Sequence, residues 1–493
     1  MATTDFPDFV IDEAGNIHYL ILPPVGRGGQ GIVLRTRNPH VAVKLLGGFA
    51  QDGHEASTRG ANASKGLWDR LNDASAPVLH DSPQARAALR ERLEDVRALP
   101  LRGLHLAQPL SMLREHPGYT MELLTDMVPM RSLIAPPSTL KVAAFYRETG
   151  GLRRRLDLLS KAAALLARLH DEPLVYADVS PNNLFVSGEA ESSEVWLIDL
   201  DNLDYPASRT AAVFTPGFGA PEVVSGRAGM TTLSDAYAFA VLAFYVLAQV
   251  HPFLGDYVEE GGWEDEDREA LAFAGGLPWV EDPDDDSNAT GQGIPRAIVL
   301  SRPLRDRFHR TFGPGRMDRT QRPGLAEWAD VLRQSADGTV RCPNCESTFY
   351  VTAGKCPFCP AHPAPRFIHM QVNRWDPDID DLHGSAVSKK SVWHRMIDAE
   401  PGSSTDIRRH VVTPVASGGD DPPALRIRVL RSGIEVTPLS GLTLYVVHEG
   451  RFVPVTHDKT LPMPFEGKEV YLHFGAPDRP HRMAALRYYG SRP

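Results

Sequence analysis

Short apolar stretches divided by a glycine-rich turn mark residues 17–45 as strands, the last of them carrying Val41-Ala42-Val43. Residues 51–83 are rich in Gly, Asn, Ser and Asp with little periodicity, which predicts an insertion or loop. At 85–99 the period changes, and Leu89, Leu93, Val96 and Leu99 fall on one side of a helix. Residues 156–170 and 234–249 read as two further helices. The second holds the longest apolar run, 236–250, which is shorter than the roughly 20 residues of a membrane span and so predicts a buried core helix. Residues 256–292 are acidic and predict a solvated, partly disordered excursion. Helical patterning resumes at 305–312 and 325–332. Beyond 364 the alternation at 425–429, 442–447 and 470–474 predicts a small β-rich domain. There is no internal repeat.

Composition narrows the function classes. A chain of 493 residues is too long for one core and implies two or three domains. Its 42% hydrophobic and 23% charged residues are those of a globular protein. A formal net charge of −10 argues against nucleic acid or an anionic membrane as partner. Residues 1–12 are acidic and lack the basic and apolar regions of a signal peptide. All four cysteines lie between Cys342 and Cys359, which suggests a metal site rather than a disulfide framework. Together these features lead to the expectation of a cytoplasmic protein.

Several segments carry candidate chemistry. Gly26-Arg-Gly28-Gly-Gln-Gly31-Ile-Val33 suits a backbone that folds over phosphates, and equally a hairpin turn. Lys44 follows on the next apolar strand, where burial is costly without an anionic partner. On the helix at 85–99, Glu91, Glu94 and Asp95 lie at i, i+3 and i+4 and share a side, as they would on a solvated face too. Tyr176-Ala-Asp178-Val-Ser-Pro-Asn-Asn183-Leu-Phe-Val sets an aspartate and an asparagine five apart before an apolar strand; an Asx-rich turn has the same look. Val195-Trp-Leu-Ile-Asp199-Leu-Asp201, Thr215-Pro-Gly-Phe-Gly-Ala-Pro-Glu222, Ser234-Asp235, His251-Pro-Phe253 and Arg322-Pro323 follow in order.

In this order the segments resemble the eukaryotic-type serine/threonine protein kinase family over residues 15–335. The region after His251 is similar to bacterial kinases of this type that carry a C-terminal zinc-binding segment. The resemblance implies an α+β, bilobal protein kinase fold, with an N-lobe at about 15–125 and a C-lobe at about 126–335. It implies ATP and magnesium as cofactors and a protein substrate phosphorylated on Ser or Thr. By the same resemblance Lys44 holds the α- and β-phosphates and pairs with a helix carboxylate, with Glu94 preferred over Glu91 and Asp95. Asp178 becomes the base, and Asn183 and Asp199 the magnesium ligands. Gly26, Gly28, Gly31, Val33 and Ala42 surround the nucleotide. Met121 becomes the gatekeeper, and the backbones of Glu122 and Leu124 bond the adenine edge. Thr215 sits where a threonine contacts the base, Asp235 braces the catalytic loop, and Arg322 pairs with Glu222.

The pattern also departs from the family. Tyr176-Ala177 replaces His-Arg, Ser180 stands in place of a lysine, and Leu200-Asp201 replaces Phe-Gly. Ala177 offers no cation to a phosphate on Ser208 or Thr210, so the unphosphorylated enzyme is expected to be competent, with control by the C-terminal region or a partner. Cys342-Pro-Asn-Cys345 and Cys356-Pro-Phe-Cys359, ten residues apart, have the spacing of a zinc ribbon at 338–364, closed by four thiolates. Four unrelated thiols or a redox pair have the same composition. Residues 365–493 form the β-rich accessory domain, a surface for a regulatory partner protein. Two rival functions remain: a nucleotide-binding pseudokinase scaffold recruiting partners through the ribbon and β domain, and a small-molecule kinase.

Overall fold

The computed structural model describes residues 6–28, 31–46, 67–72, 83–99, 101, 103–203, 205, 214–261, 267–361, 364–384, 391–413, 421–439, 441–465 and 468–490. Ser208 and Thr210, and most of the expected insertion at 51–83, lie outside them. The chain forms two compact units. Residues 1–140, 161–292 and 307–326 make the first, and residues 141–160, 293–306 and 327–493 the second. This division runs through the segment 15–335.

In the first unit six strands form an antiparallel sheet: β1 (Phe9–Ile11), β2 (Ile17–Gly28), β3 (Gly31–Thr36), β4 (Val41–Leu46), β5 (Ser111–Met112) and β6 (Gly118–Glu122). Their order is β1-β2-β3-β4-β6-β5. β4 has strands on both sides, which is why it reads as a near-continuous apolar run. Its side chains alternate between two cores. Val43 and Leu45 pack with Val10, Leu34 and Leu113, whereas Leu46 packs with Leu93, Met112 and Tyr119. Lys44 belongs to the second face by the same alternation. Leu93 comes from the helix Pro83–Ala98, whose Glu91, Glu94 and Asp95 are exposed. Gly31 is required by the β3–β4 pairing itself, since a Cβ there would lie 2.2 Å from the Leu45 carbonyl oxygen.

A second sheet, β7 (Met127–Pro129), β8 (Leu184–Ser187) and β9 (Val195–Leu197), carries the segments on either side of Asn183 and Asp199. The helix Thr232–Ala248 is buried around its whole circumference from Ser234 onward, which accounts for its apolar run. Among the described residues no helix is long and apolar enough to cross a membrane. Within the acidic stretch Asp256–Glu259 and Arg268–Phe273 are short helices. Trp279 and Val280 are buried, and the fully buried Asn288 donates to the Phe253 and Pro278 carbonyls at 3.2 and 3.0 Å. Asp284, Asp285 and Asp286 remain exposed, so a few anchors hold a solvated rim in place.

In the second unit β10 (Thr339–Arg341) and β11 (Thr348–Tyr350) form a hairpin. Ten strands follow: β12 (Phe367–Trp375), β13 (Trp393–Asp398), β14 (Ser404–Arg408), β15 (Pro423–Val429), β16 (Gly433–Pro438), β17 (Leu444–His448), β18 (Arg451–Val455), β19 (Lys459–Pro462), β20 (Val470–His473) and β21 (His481–Tyr489). They make two sheets, β13-β12-β21-β20-β17-β18 and β14-β15-β16-β19. Both sheets contribute to one core, Ile368, Met370 and Val372 from the first and Ile427, Val429 and Val436 from the second. Arg153 is tied to this domain, donating to Asp398 at 2.6 and 3.2 Å and to the Thr339 carbonyl at 2.7 Å.

Candidate functional site

The Asp178 loop is held by bonds from three directions. Asp235, fully buried on the helix Thr232–Ala248, accepts from the backbone N–H of Tyr176 at 2.7 Å and of Ala177 at 3.0 Å. His170 Nε2 lies 3.1 Å from the same carboxylate. These bonds stabilise Ala177 at φ 71°, a left-handed conformation that costs a non-glycine residue about 1 kcal/mol. Such strain is often found at functional sites. The Tyr176 hydroxyl donates to the Ile198 carbonyl and, at 3.3 Å, to that of Asn183, so it joins the loop to the strand ahead of Asp199.

The turn aims Asp178 at two partners. Thr215 donates to its Oδ1 through both backbone N–H (2.9 Å) and hydroxyl (2.7 Å). Asn183 Nδ2 donates to its Oδ2 at 2.8 Å and to its carbonyl at 3.0 Å. Burial pushes the Asp178 carboxyl above its ordinary value, helped by the nearby Asp199 charge and only partly opposed by the bonds from Thr215 and Asn183. That shift is in the direction a general base at neutral pH needs. Ser180 is fully buried, and among the described residues its hydroxyl has no hydrogen-bond partner.

Lys44 faces this loop from β4. Its Nζ lies 2.5 Å from Asp199 Oδ1 and also bonds Asp201 Oδ2. Burial lowers the Lys44 pKa, but the Asp201 and Asp199 carboxylates more than reverse that, leaving it well above the usual lysine value. Tyr119 donates to Asp201 Oδ1 at 2.9 Å. Glu94 is not part of this cluster. It pairs with Arg90 at 3.0 Å on the exposed side of its helix, where Glu91 and Asp95 also lie. The expected Lys44–Glu94 pair is therefore not formed; the helix turns Leu93 and Val96, not its carboxylates, inward. The residue sequence reasoning missed is Asp201. A second acid two places after Asp199, at a position expected to hold glycine, was the available signal.

The remaining candidates lie on neighbouring strands. Gly26 pairs with Val33 and Gly28 with Gly31 across the β2–β3 hairpin. Ala42 faces Met121 and Val41 faces Glu122 across β4 and β6. Leu124 lies two residues beyond the end of β6. Arg322 donates to both Glu222 carboxylate oxygens at 2.8 Å, and its guanidinium lies 4.8 Å from the centre of the Tyr237 ring.

The cysteines partly converge. The sulfurs of Cys342, Cys345 and Cys356 lie within 4.8 Å of one another, with Cys345 and Cys356 3.6 Å apart. Cys359 is buried in the same cluster, but its sulfur instead accepts from Asn344 Nδ2 at 2.8 Å. The expected set of four convergent sulfurs is thus three, with the fourth held aside by an amide donor. Soft thiolates crowded in an apolar pocket are a donor set that suits zinc.

Residues 153–290 match the family model for the protein kinase domain. Over 110 residues the chain is 34% identical to "Serine/threonine-protein kinase pkn2" of Myxococcus xanthus, covering 21% of this chain and 13% of that protein. Over 99 residues it is 27% identical to "Calcium/calmodulin-dependent protein kinase type 1" of Macrobrachium nipponense, covering 20% of this chain and 28% of that one. The chain thus spans only a minor part of the length of either relative. The family match spans Asp178, Asn183 and Asp199, and together the similarities support a protein kinase.

Proposed function

We propose that this chain is a protein kinase that transfers the γ-phosphate of ATP to Ser or Thr hydroxyls. The observation that carries the reading is the half-buried Asp178 carboxylate, raised in pKa and fixed by Thr215 and Asn183. Asp178 takes the proton of the attacking hydroxyl. Lys44 orients the phosphates beneath the Gly26–Gly31 hairpin. Asn183 and Asp199 hold magnesium; because the Asn183 amide nitrogen is spent on Asp178, its oxygen is left for a hard cation. When bound, that ion neutralises charge developing on the phosphate oxygens. Met121, Glu122 and Leu124 border the adenine. Cys342, Cys345 and Cys356, joined by Cys359 after a small side-chain movement, hold a structural zinc, and the β domain at 365–493 recruits a substrate or regulatory protein.

A second reading, a nucleotide-binding scaffold, draws on Ser180. Its buried hydroxyl supplies no charge where the family has a lysine for the γ-phosphate. Labelled ATP, magnesium and generic protein substrates separate the two. Wild-type protein should transfer label, and Asp199→Asn and Lys44→Met should each lower transfer by at least about a hundredfold with the fold intact by circular dichroism. Absence of transfer by the wild type would favour the scaffold, and full activity in Asp199→Asn would overturn the metal assignment.

A further inference from the structure

The Lys44 ammonium has no carboxylate from the helix Pro83–Ala98, yet it is buried to 6% exposure. We propose that Asp201, braced by Tyr119, is the positioning residue that holds Lys44 toward the nucleotide, doing from the segment after Asp199 what a helix glutamate would otherwise do. This rests on the kinase reading of the site.

The arrangement follows from register. Lys44 and Tyr119 are direct partners across β4 and β6, so their side chains rise from the same face of the sheet. Asp201 lies over that face, 2% exposed, with one carboxylate oxygen given to each: Oδ1 to the Tyr119 hydroxyl and Oδ2 to Lys44 Nζ. Both oxygens are therefore engaged, and the carboxylate cannot turn away without stranding a buried donor. Asp199 differs, with a side chain 24% exposed and so open to a ligand. If a cation draws Asp199 off, Lys44 keeps Asp201 and is not left as an unpaired buried charge. The helix carboxylates cannot serve in this way, because Glu91, Glu94 and Asp95 all face solvent and Glu94 is tied to Arg90. The short spacing from Asp199 to Asp201 gives one segment both duties, a metal ligand and a lysine anchor.

Two measurements test the anchor. The first is affinity for ADP with magnesium by calorimetry, for Asp201→Asn, Tyr119→Phe, Lys44→Met and the triple variant Glu91→Gln/Glu94→Gln/Asp95→Asn. Asp201→Asn should weaken binding about tenfold, Tyr119→Phe less, and Asp201→Asn added to Lys44→Met should cost nothing more, the mark of residues acting as one unit. The triple helix variant should bind within about twofold of wild type. The second measurement needs no nucleotide: acylation of Lys44 by an amine-reactive ester, read by mass spectrometry. Wild-type Lys44 should be protected, and Asp201→Asn should label about tenfold faster while Tyr119→Phe, which keeps the ring packing, labels at an intermediate rate. Unchanged labelling in Asp201→Asn, or a helix variant that loses as much ADP affinity as Asp201→Asn, would overturn the anchor. Wild-type protein that binds no ADP yet shows the labelling difference would keep the anchor and remove the kinase reading beneath it.

Discussion

The loop around Asp178 and the hairpin around Cys345 both place reactive side chains in half-buried surroundings, and they hold them by opposite means. Around Asp178 the donors and acceptors are all supplied by the protein. Asp235 takes two backbone N–H groups, Thr215 and Asn183 cover Asp178, and the Tyr176 hydroxyl ties the loop to the strand before Asp199. Around Cys345 the protein supplies one kind of group in excess. Three sulfurs crowd together over a small apolar cluster that includes the fully buried Val340 and Phe349. Burial pushes the Cys356 thiol up to about 12, so without a metal it stays protonated, and a bound cation would be what turns these sulfurs into thiolates. Hydrogen bonds hold the first site, whereas the second gathers sulfurs that suit a metal ion, the zinc proposed above.

Removing the proposed zinc is the sharpest way to separate the two. Structural zinc in small thiolate sites contributes on the order of 10 kcal/mol of apparent binding free energy. A strong chelator, or Cys356→Ser, should therefore speed amide exchange throughout residues 339–359. The Tyr176 and Ala177 amides, bonded to Asp235, should stay protected. Elemental analysis should find one zinc per chain before treatment. Exchange rising equally at both places would erase the distinction, and an unchanged hairpin would show that no ion holds it.

The converse experiment acts on the first site. Asp235→Ala leaves the Tyr176 and Ala177 N–H groups buried without acceptors, at about 1–3 kcal/mol for each. It also removes what stabilises Ala177 at positive φ. Stability by denaturant titration should fall by about 3 kcal/mol, and exchange should rise at 176 and 177 but not at 339–359. A loss below about 1 kcal/mol would mean that the loop keeps its shape without this carboxylate.

The two sites also differ in how far the sequence revealed them. Asp178, Asn183 and Thr215 could be placed because their segments resemble short kinase motifs of fixed spacing and order, and the structure bonds both Asn183 and Thr215 to Asp178. The partner of Lys44 could not. Its bonds to Asp201 and through it to Tyr119 join residues 157 and 82 apart, and nothing local marks them. Helical periodicity placed Leu93 and Val96 inward correctly, yet the same periodicity leaves open which carboxylate beside them turns in, and the structure turns none. Cysteine spacing grouped the thiols but did not anticipate that Asn344 would hold Cys359 aside. In the C-terminal domain alternation revealed strands such as Pro423–Val429 and Val470–His473 but not Phe367–Trp375, and the pairing into two sheets depends on contacts as distant as that of β12 with β21.

A smaller perturbation asks whether the bracing of the Asp178 loop depends on the whole helix or on Asp235 alone. The helix Thr232–Ala248 begins with a reciprocal cap: the Thr231 hydroxyl accepts from the Ser234 N–H at 3.2 Å, and the Ser234 hydroxyl accepts from the Thr231 N–H at 2.7 Å. Asp235 is the next residue, so the cap fixes the turn from which its carboxylate projects. Thr231→Ala removes one of these bonds and should cost about 1 kcal/mol. The remaining turns are buried on all sides and should hold the axis in place. The melting temperature should therefore fall by a few degrees, while exchange at Tyr176 and Ala177 rises only by the few-fold that a loss of about 1 kcal/mol in overall stability produces. If exchange at those two amides instead approaches that of Asp235→Ala, the cap is part of the brace, and the first site is held by its helix terminus as much as by its carboxylate.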